Sequence, residues 1–572
     1  MESKICKQCQ KDFEISDTDL EFYKKISPTF AGKTFEIPAP TMCPKCRAWR
    51  RLAFRNERNF YKRQSSDGKE IISVFSLDKK YPVYSQEQWW SDQWDPLSFG
   101  QDFDSSRSFF EQFSELMQKV PRIALMHRNS ENCDYTNVCA DNRDCYILIE
   151  SSNNEKCYFS YWMQLSNSCM DCAFCNKCEL CYEVTNSDNC YSLKYSRSCT
   201  NCRDSYFLLN CIGCSDCFGC VNLNQRQYYI YNQPHSKEEY SAKIAELNLS
   251  DLDSIDKLKE EAKSFWLKHP RKFAEILNSE NCSGCYITHS KDLKNCFSAY
   301  EARNCTNCVH VWRDAKDNMD VDTAGINSQL NYESINTALN SYANSFSIRC
   351  WTCSNMFYCD NCDFSKNCFG CTGLRHKEYC ILNKQYSKDE YEQKVAEIIE
   401  KMTVAGEWGE FLPVKFSLFG YNETVANDYY PMTKQEAEAM GAKWQDNDFA
   451  IEYNGQEFVP ESIDKYSDPA EQQRLLSAVL KCPVSGKPFK IMPQELAFYI
   501  EQKIPVPRKH YNVRFIERIS NINPRELYHR QCMCEETEHG HDGQCKEEFE
   551  TTYAPDRSEK VYCESCYQKS VI

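Results

Sequence analysis

Cys169-Met-Asp-Cys172-Ala-Phe-Cys175-Asn-Lys-Cys178-Glu-Leu-Cys181 sets five cysteines at every third residue, and Cys211, Cys214, Cys217 and Cys220 repeat the spacing. Working outward, sixteen cysteines lie between Cys133 and Cys220 and twelve between Cys282 and Cys380. They recur in short units such as Asn189-Cys-Tyr-Ser-Leu and Asn295-Cys-Phe-Ser-Ala, and Asn precedes Cys ten times. Asn tolerates the left-handed backbone of tight corners, and stacked Asn side chains hydrogen-bond from coil to coil. Cys, Ser, Tyr and Phe suit the faces of short strands. The stretch predicts a parallel β-solenoid, with the cysteine run as a ladder of small buried thiols. The alternative is a metal site, iron–sulfur or multinuclear zinc, because such runs bring thiolates together. Against it, the proline context of bacterial ferredoxins is absent and residues 316–349 hold no cysteine. Uneven spacing between the Asn-Cys units is what fits a solenoid least.

The middle of the chain is a duplication. Cys-Phe-Gly-Cys at 217–220 leads into Gln-Tyr-Tyr-Ile-Tyr-Asn at 227–232 and Ser236-Lys-Glu-Glu-Tyr240. The same order returns as Cys-Phe-Gly-Cys at 368–371, Glu-Tyr-Cys-Ile-Leu-Asn at 378–383 and Ser387-Lys-Asp-Glu-Tyr391. Pro121-Arg122 and Asn129-Ser-Glu-Asn-Cys133 likewise match Pro270-Arg271 and Asn278-Ser-Glu-Asn-Cys282 at an offset of 149. Ser236 and Ser387, each with Glu three residues on, have capping-box spacing and open helical patterns. The ends are duplicated too: Cys6, Phe13, Leu20, Phe22 and Tyr23 align with Cys482, Phe489, Leu496, Phe498 and Tyr499.

The expected order is module A (1–96), a helical linker (97–128), repeat B (129–235), a helical segment (236–277), repeat B′ (278–386), a helix with a small connector (387–475) and module A′ (476–572). The fold class is therefore multidomain and mainly β: two zinc-ribbon-like modules flank a duplicated, Cys-rich parallel β-solenoid with short helical segments.

Cys6-x2-Cys9 and Cys43-x2-Cys46 form two knuckles. Zinc takes four soft ligands in a tetrahedron, and each Cys-x2-Cys turn supplies two. With all four positions filled by protein, such a site is structural. In A′ the matching positions are Cys482, Ser485, His510 and Val513, too few for a metal. The later part of the modules behaves oppositely: A′ has Cys532, Cys545, Cys563 and Cys566 where A has Ser65, Gly68, Ser85 and Gln88. Cys534, His539 and His541 lie in an inserted loop and are substitutes for Cys532 or Cys545. About two zinc ions are expected.

The run Cys6-Lys-Gln-Cys9-Gln-Lys-Asp-Phe-Glu-Ile, then Leu20-Glu-Phe-Tyr and Met42-Cys-Pro-Lys-Cys-Arg47, resembles the bacterial "probable zinc-ribbon" domain. The longer arrangement resembles bacterial proteins that join this ribbon to a Cys- and Tyr-rich middle. The resemblance implies zinc at Cys6, Cys9, Cys43 and Cys46, and supplies no reaction.

Net charge is −15, but residues 44–63 carry +7 and residues 507–530 carry +4, leaving −26 for the rest. Arg47, Arg50, Arg51, Arg55, Arg58, Lys62 and Arg63 interleave with Trp49, Phe54, Phe60 and Tyr61. That composition suits RNA or single-stranded DNA. It equally suits a helix whose arginines cover the acidic solenoid of the same chain. No run of about 20 apolar residues predicts a membrane span. The start lacks a secretory signal, so a reducing cytoplasm is expected, where clustered cysteines bind metal or stay thiols. No nucleophile–base pair, glycine-rich phosphate loop or His-Glu motif points to an enzyme. The expected function is a zinc-binding scaffold or adaptor that takes a nucleic acid or protein through its ends. Alternatives are a metal-buffering or redox protein using the middle cysteines and, on fold analogy alone, a carbohydrate-active enzyme.

Overall fold

A computed structural model describes residues 2–447, 453, 455 and 457–571. Part of the expected connector (448–452, 454 and 456) lies outside the described residues. The middle of the chain is a parallel β-solenoid. In its first half, Tyr146 pairs with Tyr158 and Leu148 with Ser160, and bridges from Glu131↔Arg143 to Phe218↔Ile230 keep the same step of twelve residues. The second half steps by eleven to thirteen residues, as in Cys282↔Leu293, Ile348↔Asp360 and Tyr332↔Ser345.

In the twelve-residue coils of the first half every third residue is a corner. Asn129, Asn132, Tyr135, Val138, Asp141 and Asp144 all have φ between 49° and 56°. A twelve-residue coil thus has four corners and four short sides. At each corner, amides and carbonyls bond alternately to the two neighbouring coils. Asp144 N–H donates to Glu131 O at 3.0 Å, and Glu131 N–H to Asn142 O at 2.9 Å. These bonds hold even Tyr135, Val138 and Ile147 in the left-handed region, which costs such residues roughly 1–2 kcal/mol each. Asn is favoured there, and its ladders form: Asn189 Nδ2 donates to Asn201 Oδ1 at 2.7 Å.

Each side contributes one inward side chain, the residue after the corner. With four per coil and no more, the interior admits small and medium-sized groups: Cys139, Cys145, Leu148, Cys157, Met163, Cys169, Cys172 and Cys175 are all buried there. The three-residue spacing of the cysteine run is thus the period of the coil itself, and the irregular Asn-Cys spacing only reflects which sides carry Cys. The thiols meet main-chain carbonyls: Cys172 Sγ lies 3.4 Å from Met170 O and 3.5 Å from Cys181 O. One coil away in the same column, Ser160 Oγ donates to Tyr158 O at 2.8 Å and accepts from Cys172 N–H at 3.1 Å. Cys172→Ser should therefore leave the fold and the metal content unchanged and cost about 1 kcal/mol in denaturant unfolding. Loss of a metal ion would show that this row ligates.

Outside, aromatic ladders run along one edge of each half. Ring centroids of Tyr195 and Phe207 are 5.0 Å apart, of Phe207 and Phe218 5.2 Å, and of Phe346 and Tyr358 4.8 Å. The terminal modules cover these ladders, and they do so crosswise. The first half's ladder packs against A′ residues Leu496, Phe498 and Tyr499. The second half's ladder, with Tyr332, Phe346 and Phe369, packs against A residues Phe13, Ile15, Tyr23 and Phe35. The helix Phe109–Lys119, which precedes B, also lies on B′, with Phe109 5.2 Å from Phe369. Its counterpart Leu252–Trp266, which precedes B′, reaches B through Phe265 and Tyr231 at 5.2 Å.

The expected capping boxes form: Ser236 caps the helix Lys237–Ala245 and Ser387 caps Lys388–Ala405. Both terminal modules repeat the same elements. A hairpin of Glu2–Ile5 and Asp12–Ile15 matches Leu480–Lys481 and Pro488–Phe489. The helices Asp17–Ile26 and Pro44–Leu52 match Pro493–Gln502 and Tyr511–Ser520. The hairpin Tyr61–Gln64 with Glu70–Ser73 matches Tyr528–Gln531 with Glu548–Thr551. Among the described residues, no helix is long and apolar enough to cross a membrane.

Candidate metal centres

Among the described residues, three sets of Cys and His bring their ligand atoms within 4.8 Å of one another, and all three lie in the terminal modules. The first is Cys6, Cys9, Cys43 and Cys46. Cys6 and Cys9 lie in the loop of the first hairpin, between Ile5 and Asp12. Cys43 is the N-cap of the helix Pro44–Leu52, and Cys46 lies in its first turn. Cys9 Sγ is 3.8 Å from Cys43 Sγ, and Cys43 N–H donates to Cys6 Sγ at 3.2 Å. That amide is directed at the sulfur, as in a site built for thiolate. Without a cation the sulfurs share protons unequally. The hydrogen bond between Cys46 and Cys43 lowers Cys43 to about 5 and pushes Cys46 far above the thiol range. Four close sulfurs of which few can ionise together are a ready place for a divalent cation.

The second set is Cys532, Cys545, Cys563 and Cys566, all buried. It repeats the same device: Cys563 is the N-cap of Glu564–Ser570, and its N–H donates to Cys532 Sγ at 3.2 Å. Burial first of all pushes Cys532 up to about 11. Soft thiolates in sets of four suit zinc. The third set, Cys534, His539, His541 and Cys566, was expected only as a source of substitutes; its residues converge as a group of their own.

Where a module lacks cysteines, the same positions do ordinary structural work. Ser85 caps the helix Gln86–Trp90, accepting from Gln88 N–H at 3.1 Å. His510, whose pKa burial lowers to about 4, accepts from Asn512 N–H at 3.2 Å.

The basic run after the second knuckle does not form a nucleic-acid surface, which corrects that expectation for Arg47, Trp49, Arg50, Arg51, Arg55, Arg58, Lys62 and Arg63. The first five are buried. Arg47 donates through Nη2 to Asp320 Oδ2 at 2.7 Å, and Arg51 pairs with Glu333 at 3.2 Å. Arg50 donates to Glu410 at 2.9 Å, and Trp49 Nε1 to Tyr421 Oη at 2.9 Å. Arg55 is held by Glu57, Glu150 and Asp322, so it joins both solenoid halves. Arg58 is paired with Asp428, and Arg63 donates to Ser76 O at 3.1 Å. Lys62 alone of the eight is exposed. The physical reason is the −26 borne by the rest of the chain: the arginines find their carboxylates at home.

The second basic run behaves the same way. Asp171, wholly buried, meets Arg514 Nη1 at 2.9 Å and Arg518 Nη1 at 2.6 Å. Burial opposes the charged form of Arg514, but Asp171, Tyr499 and Glu495 together outweigh it and the guanidinium is held well above its ordinary pKa. Arg47 and Arg51 occupy in A the positions of Arg514 and Arg518 in A′, while Met170-Asp171 and Met319-Asp320 match at the 149-residue offset. The clamp is duplicated with the rest, and sequence reasoning missed its acidic half although that repeat was there to find. No family model matches the chain, and no curated protein matches it, so the reading of the two tetrads rests on their own geometry.

Proposed function

We propose that this protein is a zinc-binding scaffold of the zinc-ribbon type, in which metal at each end rigidifies a ribbon against the solenoid. The assembled surface takes a macromolecular partner, a protein rather than a nucleic acid. The observation that carries the reading is that four cysteines converge in each terminal module, with a main-chain amide donated to one sulfur of each set. Zinc is the metal of choice for four thiolates with no open position. Two features support a protein partner. The arginines that would grip phosphate are consumed inside the molecule, and net charge is −15.

Elemental analysis of anaerobically purified protein, with thiol titration, tests this. Each terminal tetrad should hold metal, and the middle cysteines other than the half-buried Cys133 and Cys282 should react only after denaturation. Metal-free protein with disulfide-bonded middle cysteines would sink the reading. In the same preparation, single-stranded RNA or DNA should not be retained at low salt. Tight binding that weakens steeply with salt would restore nucleic acid as the partner.

A further inference from the structure

The second and third convergent sets share one residue, Cys566. We propose that the C-terminal centre is binuclear: Cys566 bridges two divalent soft-metal ions, zinc by the chemistry of the donors. One ion is completed by Cys532, Cys545 and Cys563, and the other by Cys534, His539 and His541. This rests on the zinc reading of the C-terminal tetrad and extends it.

Seven donors then serve two four-ligand sites, with the shared thiolate counted in each. Cys534 is wholly buried, and its Sγ lies 3.1 Å from His539 Nδ1. Cys566 Sγ lies 3.4 Å from His541 Nε2. The far side of His541 fixes its tautomer: Nδ1 is 2.9 Å from Gly543 O, and a carbonyl can only accept. Nδ1 therefore carries the proton, and Nε2 turns a lone pair toward Cys566, the arrangement of a metal-ligating imidazole with a carbonyl behind it. Gly540, at φ 90°, reverses the chain between the two histidines, a conformation that favours glycine. Lys569 Nζ donates to His539 O and ties the loop to the last helix.

Charge points the same way. Four thiolates around one divalent ion, with Cys534 still a thiol, would leave a surplus of two negative charges in a buried site. A second ion reduces that surplus to one. Loading it displaces the thiol proton of Cys534 to solvent.

The test uses the full chain, emptied and reloaded with zinc or with cadmium-113. Native mass spectrometry should count three ions per chain, falling to two in Cys534→Ser and in the double variant His539→Ala/His541→Ala. With cadmium, two C-terminal resonances should be split by coupling through the shared sulfur, and His541→Ala should abolish the splitting. Two ions per chain, unchanged in either variant, with a single unsplit C-terminal resonance would overturn the bridged centre while leaving the scaffold reading intact. No ion lost on Cys563→Ser would overturn both at this end.

Discussion

Stripping metal from the N-terminal tetrad, with a chelator or by Cys46→Ala, is expected to melt the first ribbon and free the helix Pro44–Leu52 from the second solenoid half. Structural zinc in small ribbons and fingers contributes about 10–16 kcal/mol of apparent binding energy, which is folding energy wherever the site does not exist in the unfolded chain. The knuckles tie the hairpin to the helix, beside a shared core that includes Phe13, Ile15, Tyr23 and Met42. Loss of the metal therefore removes the tie that sets the helix axis. That helix carries Arg47, Arg50 and Arg51, so its release also strands the buried Asp320 and Glu333 on the solenoid. Calorimetry should show the transition moving down by well over 10 °C, since about 1 kcal/mol moves a domain of 150–250 residues by roughly 2–4 °C. Metal analysis should show one ion fewer. An unchanged transition in metal-free protein would mean that the aromatic core alone holds the ribbon.

The second large effect belongs to Asp171. Asp171→Ala leaves Arg518 in a buried site without a carboxylate partner and Arg514 with only Glu495, at 3.7 Å. Breaking a buried pair by removing one partner costs about 3–5 kcal/mol, most of it the burden of the unpaired charge. The equivalent change in the other half, Asp320→Ala, should cost less, because Arg47 retains Glu333 at 3.2 Å. Replacing the three groups together with their buried neighbour Glu495, as in Asp171→Leu with Arg514→Met, Arg518→Leu and Glu495→Gln, should recover most of the loss, since well-packed apolar groups often replace buried ion clusters without penalty. Denaturant unfolding of the three variants decides it. A loss under about 1 kcal/mol in Asp171→Ala would show that the aromatic ladder, not the clamp, holds the C-terminal module.

Much of this protein is legible from its residues one after another. The knuckles Cys6-x2-Cys9 and Cys43-x2-Cys46 can be read because ligand spacing in a tight turn is local. Ser236 and Ser387 announce their helices because a cap and its Glu lie within one turn. The solenoid shows in the cysteine run because its period, three residues to a side sustained over many residues, does not match the 3.6-residue turn of an α-helix. Its left-handed corners were foreseeable at Asn132 and Asn189 but not at Val138 or Ile147. There the inter-coil hydrogen bonds override local preference.

The amino-acid sequence by itself determined the duplication, the two ligand sets and the coil, all features set by neighbours or by repetition. Only the tertiary structure decided where the arginines go and which half each ribbon covers. Nothing local distinguishes a guanidinium meant for phosphate from one meant for Asp171 or Asp320. The outcome depends on which carboxylates lie within reach once about 270 or 350 intervening residues are folded. The same holds for Cys534, His539 and His541, whose meeting with Cys566 is set by how the inserted loop folds back over the last helix.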